Sequence, residues 1–299
     1  MINTLLYQTA ATPDADAGHW LPVSAKLIRS FTKPSLTFIH GWGMNVAVFM
    51  PLFAQLAEQY ECIAIELPGH GQVPLVNPTN LKEVGLPEAD QPGFAQTSFY
   101  HTVRAIVHDL RILPPGPVIG WSMGGLFATV LAANHPDLFN RLILITSTPH
   151  FLQSDNWPVG MPHTRAQRFT QDMLKNPADS ILRFLNLQFF QEPAARQLAR
   201  SVYDLVATRG LPSRAGLQLG MDWLSMVDTR AELKQLSQLK VPLLACYGLK
   251  DNLINHKTAE LVQALYPGAK IQIDRTAHLP FISDSQQFAT RLDQFVQFG

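Results

Sequence analysis

The sequence predicts an α/β fold: a mostly parallel central sheet with flanking helices and an inserted helical segment. Three observations carry this prediction. Short apolar runs bounded by turn residues alternate with longer helical patterns. One G-x-S-x-G turn joins a strand-like run to a helix-like run. Residues 160–227 hold several helix-like segments and no convincing strand.

Residues 35–39, Ser-Leu-Thr-Phe-Ile, read as the first buried strand. Further strands are expected at 62–65, 118–119, 142–145, 241–247 and 270–273. Runs this short are ambiguous by periodicity alone. Their flanking Gly and Pro, and the helices between them, favour a parallel sheet buried on both faces. Helices are expected at 48–59, 100–113, 126–134, 258–265 and 285–298. This alternation gives a doubly wound layer. Residues 72–97, rich in Pro, Gly and Asn, read as a long surface insertion. The expected organisation is a core of residues 1–159 and 228–299 with a helical cap of residues 160–227.

Composition narrows the function. Hydrophobic residues are 46% of the chain and charged residues 15%, enough apolar material for a large core. The 23 Lys and Arg balance 23 Asp and Glu, which argues against a nucleic-acid binder. Residues 160–227 carry eight Lys or Arg against five Asp or Glu, so the modest positive excess sits there. Cys62 and Cys246 each lie in an apolar run and read as reduced core residues. The N-terminus lacks the basic and apolar regions of a signal peptide. No run approaches the ~18 continuous apolar residues of a membrane span. A soluble cytoplasmic monomer is expected, with no membrane or nucleic-acid partner. No nucleotide loop or metal-ligand spacing points to a cofactor or a metal.

Gly120-Trp-Ser-Met-Gly124 is the most informative segment. It follows a strand-like run and opens the helix-like run from Leu126. Glycines on either side let strand and helix approach closely, and the serine hydroxyl is exposed at the helix start. This setting belongs to the α/β-hydrolase fold, in which acid and histidine follow the serine in that order. Asp251 follows the strand at 241–247, and His278 follows the strand at 270–273. Both therefore fall at the sheet edge that carries Ser122. His256, Asp228 and Asp274 are weaker rivals. A serine hydroxyl needs a base to take its proton, so the expected triad is Ser122, His278 and Asp251. The oxyanion is expected on the backbone N–H groups of Met123 and of Trp42, in His40-Gly-Trp-Gly43. His40 is expected to support that loop.

A closer resemblance rests on several segments together. These are His40-Gly-Trp-Gly43, Leu67-Pro-Gly-His-Gly71, Gly120-Trp-Ser-Met-Gly-Gly125, Asn156-Trp-Pro158, Phe184-Leu-Asn-Leu-Gln188, Tyr247-Gly248 with Asp251, and Ala277-His-Leu-Pro-Phe-Ile-Ser283. From about Ser35 onward the chain resembles the pimeloyl-acyl-carrier-protein methyl ester esterases of biotin synthesis. The resemblance implies hydrolysis of a methyl ester at the far end of an acyl chain held on acyl carrier protein. It implies the triad and oxyanion residues named above, with Trp42, Ser122, Met123 and His278 at the substrate. It implies that Phe184, Leu185, Asn186, Leu187 and Gln188 line the acyl channel. It implies that Arg183, Arg196 and Arg200 face the carrier protein. A further basic position of that set is occupied here by Asp179.

Three other functions fit parts of the pattern. A general short-chain carboxylesterase would share every catalytic residue. A carbon–carbon bond hydrolase of the same fold could use the same triad. A binding protein on this scaffold need not keep a complete triad, so its completeness argues against that reading.

Overall fold

The computed structural model describes residues 3–8, 19–23, 28, 30–75, 93–175 and 177–299. Among these, eight strands form one sheet: β1 (Asn3–Gln8), β2 (His19–Pro22), β3 (Ser35–Ile39), β4 (Glu61–Glu66), β5 (Gly116–Trp121), β6 (Phe139–Ile145), β7 (Leu243–Gly248) and β8 (Lys270–Asp274). Their order across the sheet is β2-β1-β4-β3-β5-β6-β7-β8. From β4 to β8 all neighbours run parallel. β1 joins β4 antiparallel and carries β2 as the edge. The sequence reading did not contain this hairpin.

Helices cover both faces. They are α1 (Met50–Leu56), α2 (Phe94–Leu110), α3 (Gly124–Asn134), α8 (Arg230–Leu239), α9 (Thr258–Leu265) and α10 (Ser285–Phe298). Between β6 and β7 stand four more: α4 (His163–Lys175), α5 (Pro177–Gln188), α6 (Ala195–Ala207) and α7 (Arg214–Met226). They form the inserted helical segment that the sequence predicts. The helix expected at 48–59 begins as a 3-10 turn, Val46–Phe49, before α1. Pro51 lies in the first turn of α1, where its missing N–H costs nothing. Most of the 72–97 stretch lies outside the described residues, and its last four residues already belong to α2.

The strands β3, β5 and β7 are buried almost throughout, as parallel strands covered on both faces must be. α3 is apolar all round because it packs against β5, β6 and β3 and also against α8. Aromatic rings weld the centre of the sheet to the helices beside the edge where β5, β7 and β8 end. Phe38 and Phe53 have centroids 4.7 Å apart, and Phe281 contacts both Phe49 (5.5 Å) and Trp121 (5.4 Å). Cys62 and Cys246 are buried free thiols, and burial pushes the Cys246 thiol up to about 12.

Polar bonds fasten the insertion to the core. Asn45 donates its amide to the carbonyls of Val206 (2.9 Å) and Gly210 (3.0 Å) at the end of α6. Arg209 grips the buried carboxylate of Glu66 with two bonds of 2.9 Å. Glu66 lies at the end of β4 and also accepts the N–H of Gln72 at 3.1 Å. A buried carboxylate left without its cation is costly. Arg209→Ala is therefore expected to cost about 3 kcal/mol of stability, read as a lower urea midpoint. An unchanged midpoint would show that Gln72 and water suffice for Glu66.

Candidate active site

The turn between β5 and α3 consists of Ser122 and Met123 alone. Ser122 has φ 53°, in the left-handed region that residues with a Cβ avoid. Its neighbours permit this. A Cβ on Gly120 would come within 2.5 Å of the Gly124 carbonyl, and one on Gly124 within 2.1 Å of the Ile39 carbonyl. The Ser122 N–H donates to Ile145 O at 2.9 Å, and its carbonyl accepts the Ser147 hydroxyl at 2.8 Å. The residues around it are buried, while Ser122 itself keeps part of its surface open.

Asp251 lies in the loop after β7. One carboxylate oxygen accepts the N–H groups of Leu253 (2.8 Å) and Ile254 (3.1 Å). The other lies 2.7 Å from Nδ1 of His278. The Asp251 side chain is 0% exposed and that of His278 1%. A carboxylate only accepts, so Nδ1 carries the proton, and in the neutral ring Nε2 then presents a lone pair. The backbone of His278 is held on both sides. Its carbonyl accepts Trp121 Nε1 at 3.0 Å and Thr146 Oγ1 at 2.8 Å, and its N–H donates to Gln188 O at 3.0 Å.

The rivals have other partners. Asp274 is held by the guanidinium of Arg291, and Asp228 by that of Arg230 at 2.6 Å. His256 stands in the turn before α9, where its carbonyl accepts the Ala259 N–H.

The loop of residues 40–43 lies against Ser122: a Cβ on Gly41 would stand 3.1 Å from Cβ of Ser122. Among the described residues, no acceptor meets the N–H of Trp42 or of Met123. Trp42 is held by its side chain. Its indole N–H donates to Leu217 O at 2.8 Å, and its ring packs on Phe169 (5.2 Å) and Phe184 (5.3 Å).

Two histidines brace this loop from behind. Nε2 of His40 accepts the Leu67 N–H at 3.0 Å, so its Nδ1 donates to Gly41 O at 2.8 Å. Nε2 of His70 accepts the Gly43 N–H at 3.3 Å, and its Nδ1 donates to Pro68 O at 3.0 Å. Both rings are thus neutral and tautomer-fixed. Burial lowers His40 to about 4 and His70 to about 3, and the neighbouring His40 also depresses His70.

The sequence-predicted lining residues divide. Phe184 joins the aromatic cluster at Trp42. Gln188 is 1% exposed, and among the described residues neither its carboxamide oxygen nor its nitrogen has a hydrogen-bond partner. Leu185 is fully buried, while Asn186 and Leu187 are half-buried. The Asn186 amide is used within α5, on Leu182 O at 2.8 Å. Arg183, Arg196 and Arg200 are all exposed. Arg183 donates to the Ser180 hydroxyl at 3.2 Å, and Arg200 pairs with Asp204 at 3.0 Å. Sequence reasoning missed Phe169 and His70. Phe169 was legible as part of the apolar spacing 166, 169, 173 on α4. His70 lies in a motif the sequence reading singled out without giving it a role.

Residues 34–285 match the family described as alpha/beta hydrolase fold. A pimeloyl-[acyl-carrier protein] methyl ester esterase of Aeromonas hydrophila is 34% identical over 275 residues, covering 92% of this chain and 100% of that one. The esterase of the same name from Vibrio cholerae is 30% identical, covering 87% of this chain and 93% of its own. The chain belongs to the α/β-hydrolase family, among these esterases. It is a carboxylic ester hydrolase. Among solved structures, an esterase from Exiguobacterium antarcticum has a TM-score of 0.72 at 20% identity, over 88% of this chain and 92% of that one. An enol-lactonase from Burkholderia xenovorans has a TM-score of 0.68 at 19% identity, over 90% of this chain and 93% of its own. Both share the α/β-hydrolase fold with this esterase. Among the described residues, no helix is long and apolar enough to cross a membrane.

The histidine brace makes the stability of the esterase depend on pH. Both rings are neutral when folded and titrate near 6.5 when unfolded, so acid favours the unfolded chain. Their contribution is complete above about 6.5 and is lost as pH falls toward 4 and then 3. His70→Gln is expected to make stability between pH 6 and pH 4.5 shallower by about 1.4 kcal/mol per pH unit. Urea unfolding across that range measures the slope, and an unaltered slope would remove His70 from the account.

Proposed function

We propose that this esterase removes the methyl group from a pimeloyl methyl ester carried on acyl carrier protein, using Ser122, His278 and Asp251 as its triad. One observation carries the catalytic assignment. A buried Asp251–His278 pair, 2.7 Å apart, stands on the loops after β7 and β8, while Ser122 stands on the strained turn after β5. These strands end at one edge of the sheet. The names of the relatives in Aeromonas and Vibrio supply the substrate.

In this reading the Ser122 hydroxyl adds to the ester carbonyl carbon as Nε2 of His278 takes its proton. The N–H groups of Trp42 and Met123 receive the oxyanion. Collapse breaks the bond to the methoxy oxygen, which takes the proton from His278 and leaves as methanol. Water then attacks the acyl-enzyme by the same route and frees the carboxylate. Asp251 holds the imidazole tautomer and balances its transient charge. The helical cap of residues 160–227 roofs this site. Phe184, beside Trp42, and the unpartnered Gln188 carboxamide suit a chain that is apolar along its length and polar at its ester end.

The assignment has a direct test. Ser122→Ala should lose about four to six orders of magnitude in turnover, and a fluorophosphonate should label only the wild type. Wild-type turnover by a folded Ser122→Ala protein would falsify the triad. His278→Ala should be comparably inactive, and His256→Ala nearly normal.

The carrier is tested separately. Arg183, Arg196 and Arg200 are proposed as a landing surface for its acidic face, and long-range attraction of this kind mainly sets encounter rates. Charge reversal at all three should slow hydrolysis of the carrier-bound ester at low salt and leave p-nitrophenyl butyrate nearly unchanged. Equal turnover of carrier-bound and free methyl pimelate by wild type would favour a general short-chain carboxylesterase instead.

A further inference from the structure

The turn between α5 and α6 carries a carboxylate that reaches both catalytic loops. The Glu192 side chain is 6% exposed. Its Oε1 accepts the Ala277 N–H at 2.6 Å and the Ser283 hydroxyl at 3.3 Å. Its Oε2 lies 3.6 Å from the ammonium of Lys250. Ala277 immediately precedes His278, and Lys250 immediately precedes Asp251.

The turn is held in an unfavourable backbone shape. Gln191 and Ala194, neither of them glycine, have φ of 62° and 59°. Such residues persist where surrounding contacts over-determine them, often at functional sites. The contacts here are Glu192 itself and the bond from the His278 N–H to Gln188 O.

The two loops gripped by Glu192 are already zipped together. Leu249 N–H donates to Asp274 O at 2.8 Å, and Lys250 N–H to Thr276 O at 3.0 Å. A Cβ on Gly248 would come within 2.4 Å of the carbonyls of both Thr276 and Ala277. No slack separates them, so a shift of the Ala277 peptide passes to the His278 ring. A simple tether between insertion and core would be redundant here, because Arg209 and Asn45 already supply one from the end of α6.

We propose that Glu192 is a positioning residue for ester hydrolysis. It locks the histidine loop and the acid loop to the insertion, so the triad is aligned only while the insertion is seated. The inference rests on the assignment of Ser122, His278 and Asp251 as the triad.

The test uses the full chain and p-nitrophenyl butyrate, with unfolding midpoints measured in parallel. Glu192→Ala should lower kcat about 30-fold per folded molecule, with KM within about twofold, since a displacement of about 1 Å can cost that much. The rate of fluorophosphonate labelling of Ser122 should fall in parallel. Glu192→Gln keeps an oxygen for the Ala277 N–H and should recover kcat to within about threefold of wild type. Glu192→Asp is one methylene short of that N–H and should behave like Glu192→Ala, which secures the test if the alanine variant does not fold. Wild-type kcat in folded Glu192→Ala or Glu192→Asp overturns the proposal. So does a Glu192→Gln protein as slow as Glu192→Ala. A Ser122→Ala control with wild-type turnover would instead strike the triad reading, and would be seen apart from any Glu192 effect.

Discussion

The backbone of Ser122 stands at φ 53°, a conformation that costs a residue with a Cβ on the order of 1–3 kcal/mol. Much of the molecule serves to hold it there. Glycines at 120 and 124 let β5, α3 and β3 approach to distances that no side chain would tolerate. The Ser122 N–H and carbonyl are tied to Ile145 and Ser147, so β6 fixes the turn from its other side. The apolar helix α3, buried on every face, cannot tilt to relieve the strain. What results is a hydroxyl presented at a helix start, beside N–H groups that no carbonyl among the described residues satisfies.

The other residues of the proposed catalytic site are held through their peptides as much as their side chains. His278 is suspended between core and insertion: its carbonyl faces Trp121 and Thr146, and its N–H faces Gln188. Trp42 is likewise shared, with its backbone beside Ser122 and its indole bonded to Leu217 on α7. The insertion is therefore more than a roof. It supplies hydrogen-bond partners to His278 and to the loop of residues 40–43, while Glu66–Arg209 and Asn45 set its seat on the core. His40 and His70 complete the arrangement from below, each able to brace its loop only as a neutral ring.

How far the sequence could reveal this depends on the range of each signal. The strand at 35–39 and the elbow at 120–124 are local patterns, and both stand where sequence reasoning places them. That Ser122, Asp251 and His278 share one sheet edge follows from topology, because parallel strands end on the same side. β1 and β2 were not legible. The pattern of β1 is four buried residues in succession, without alternation, and β2 is only four residues long and ends in proline. The Glu66–Arg209 pair spans 143 positions and the Glu192–Ala277 bond spans 85. Pairings at such separations leave no periodic trace in one sequence. The same holds for the Gln188 carboxamide, whose isolation from polar partners is visible only in three dimensions.

These ranges bear on how substrate selection and chemistry are divided. Arg183, Arg196 and Arg200 project from α5 and α6 into solvent, and among the described residues none of their hydrogen bonds reaches the loops of Asp251 or His278. Their charge can change without moving Ser122, Asp251 or His278. Residues 188–192 lie on the same insertion, yet two of them bond directly to the peptides around His278. A change in this short turn also reaches the His278 loop, because Gln188 and Glu192 bond to its peptides. Selection for a different acyl chain therefore meets less constraint on the aromatic wall, at Phe169 and Phe184. That wall touches the proposed catalytic centre through the Trp42 ring, and Leu217 holds the indole independently of both phenylalanines.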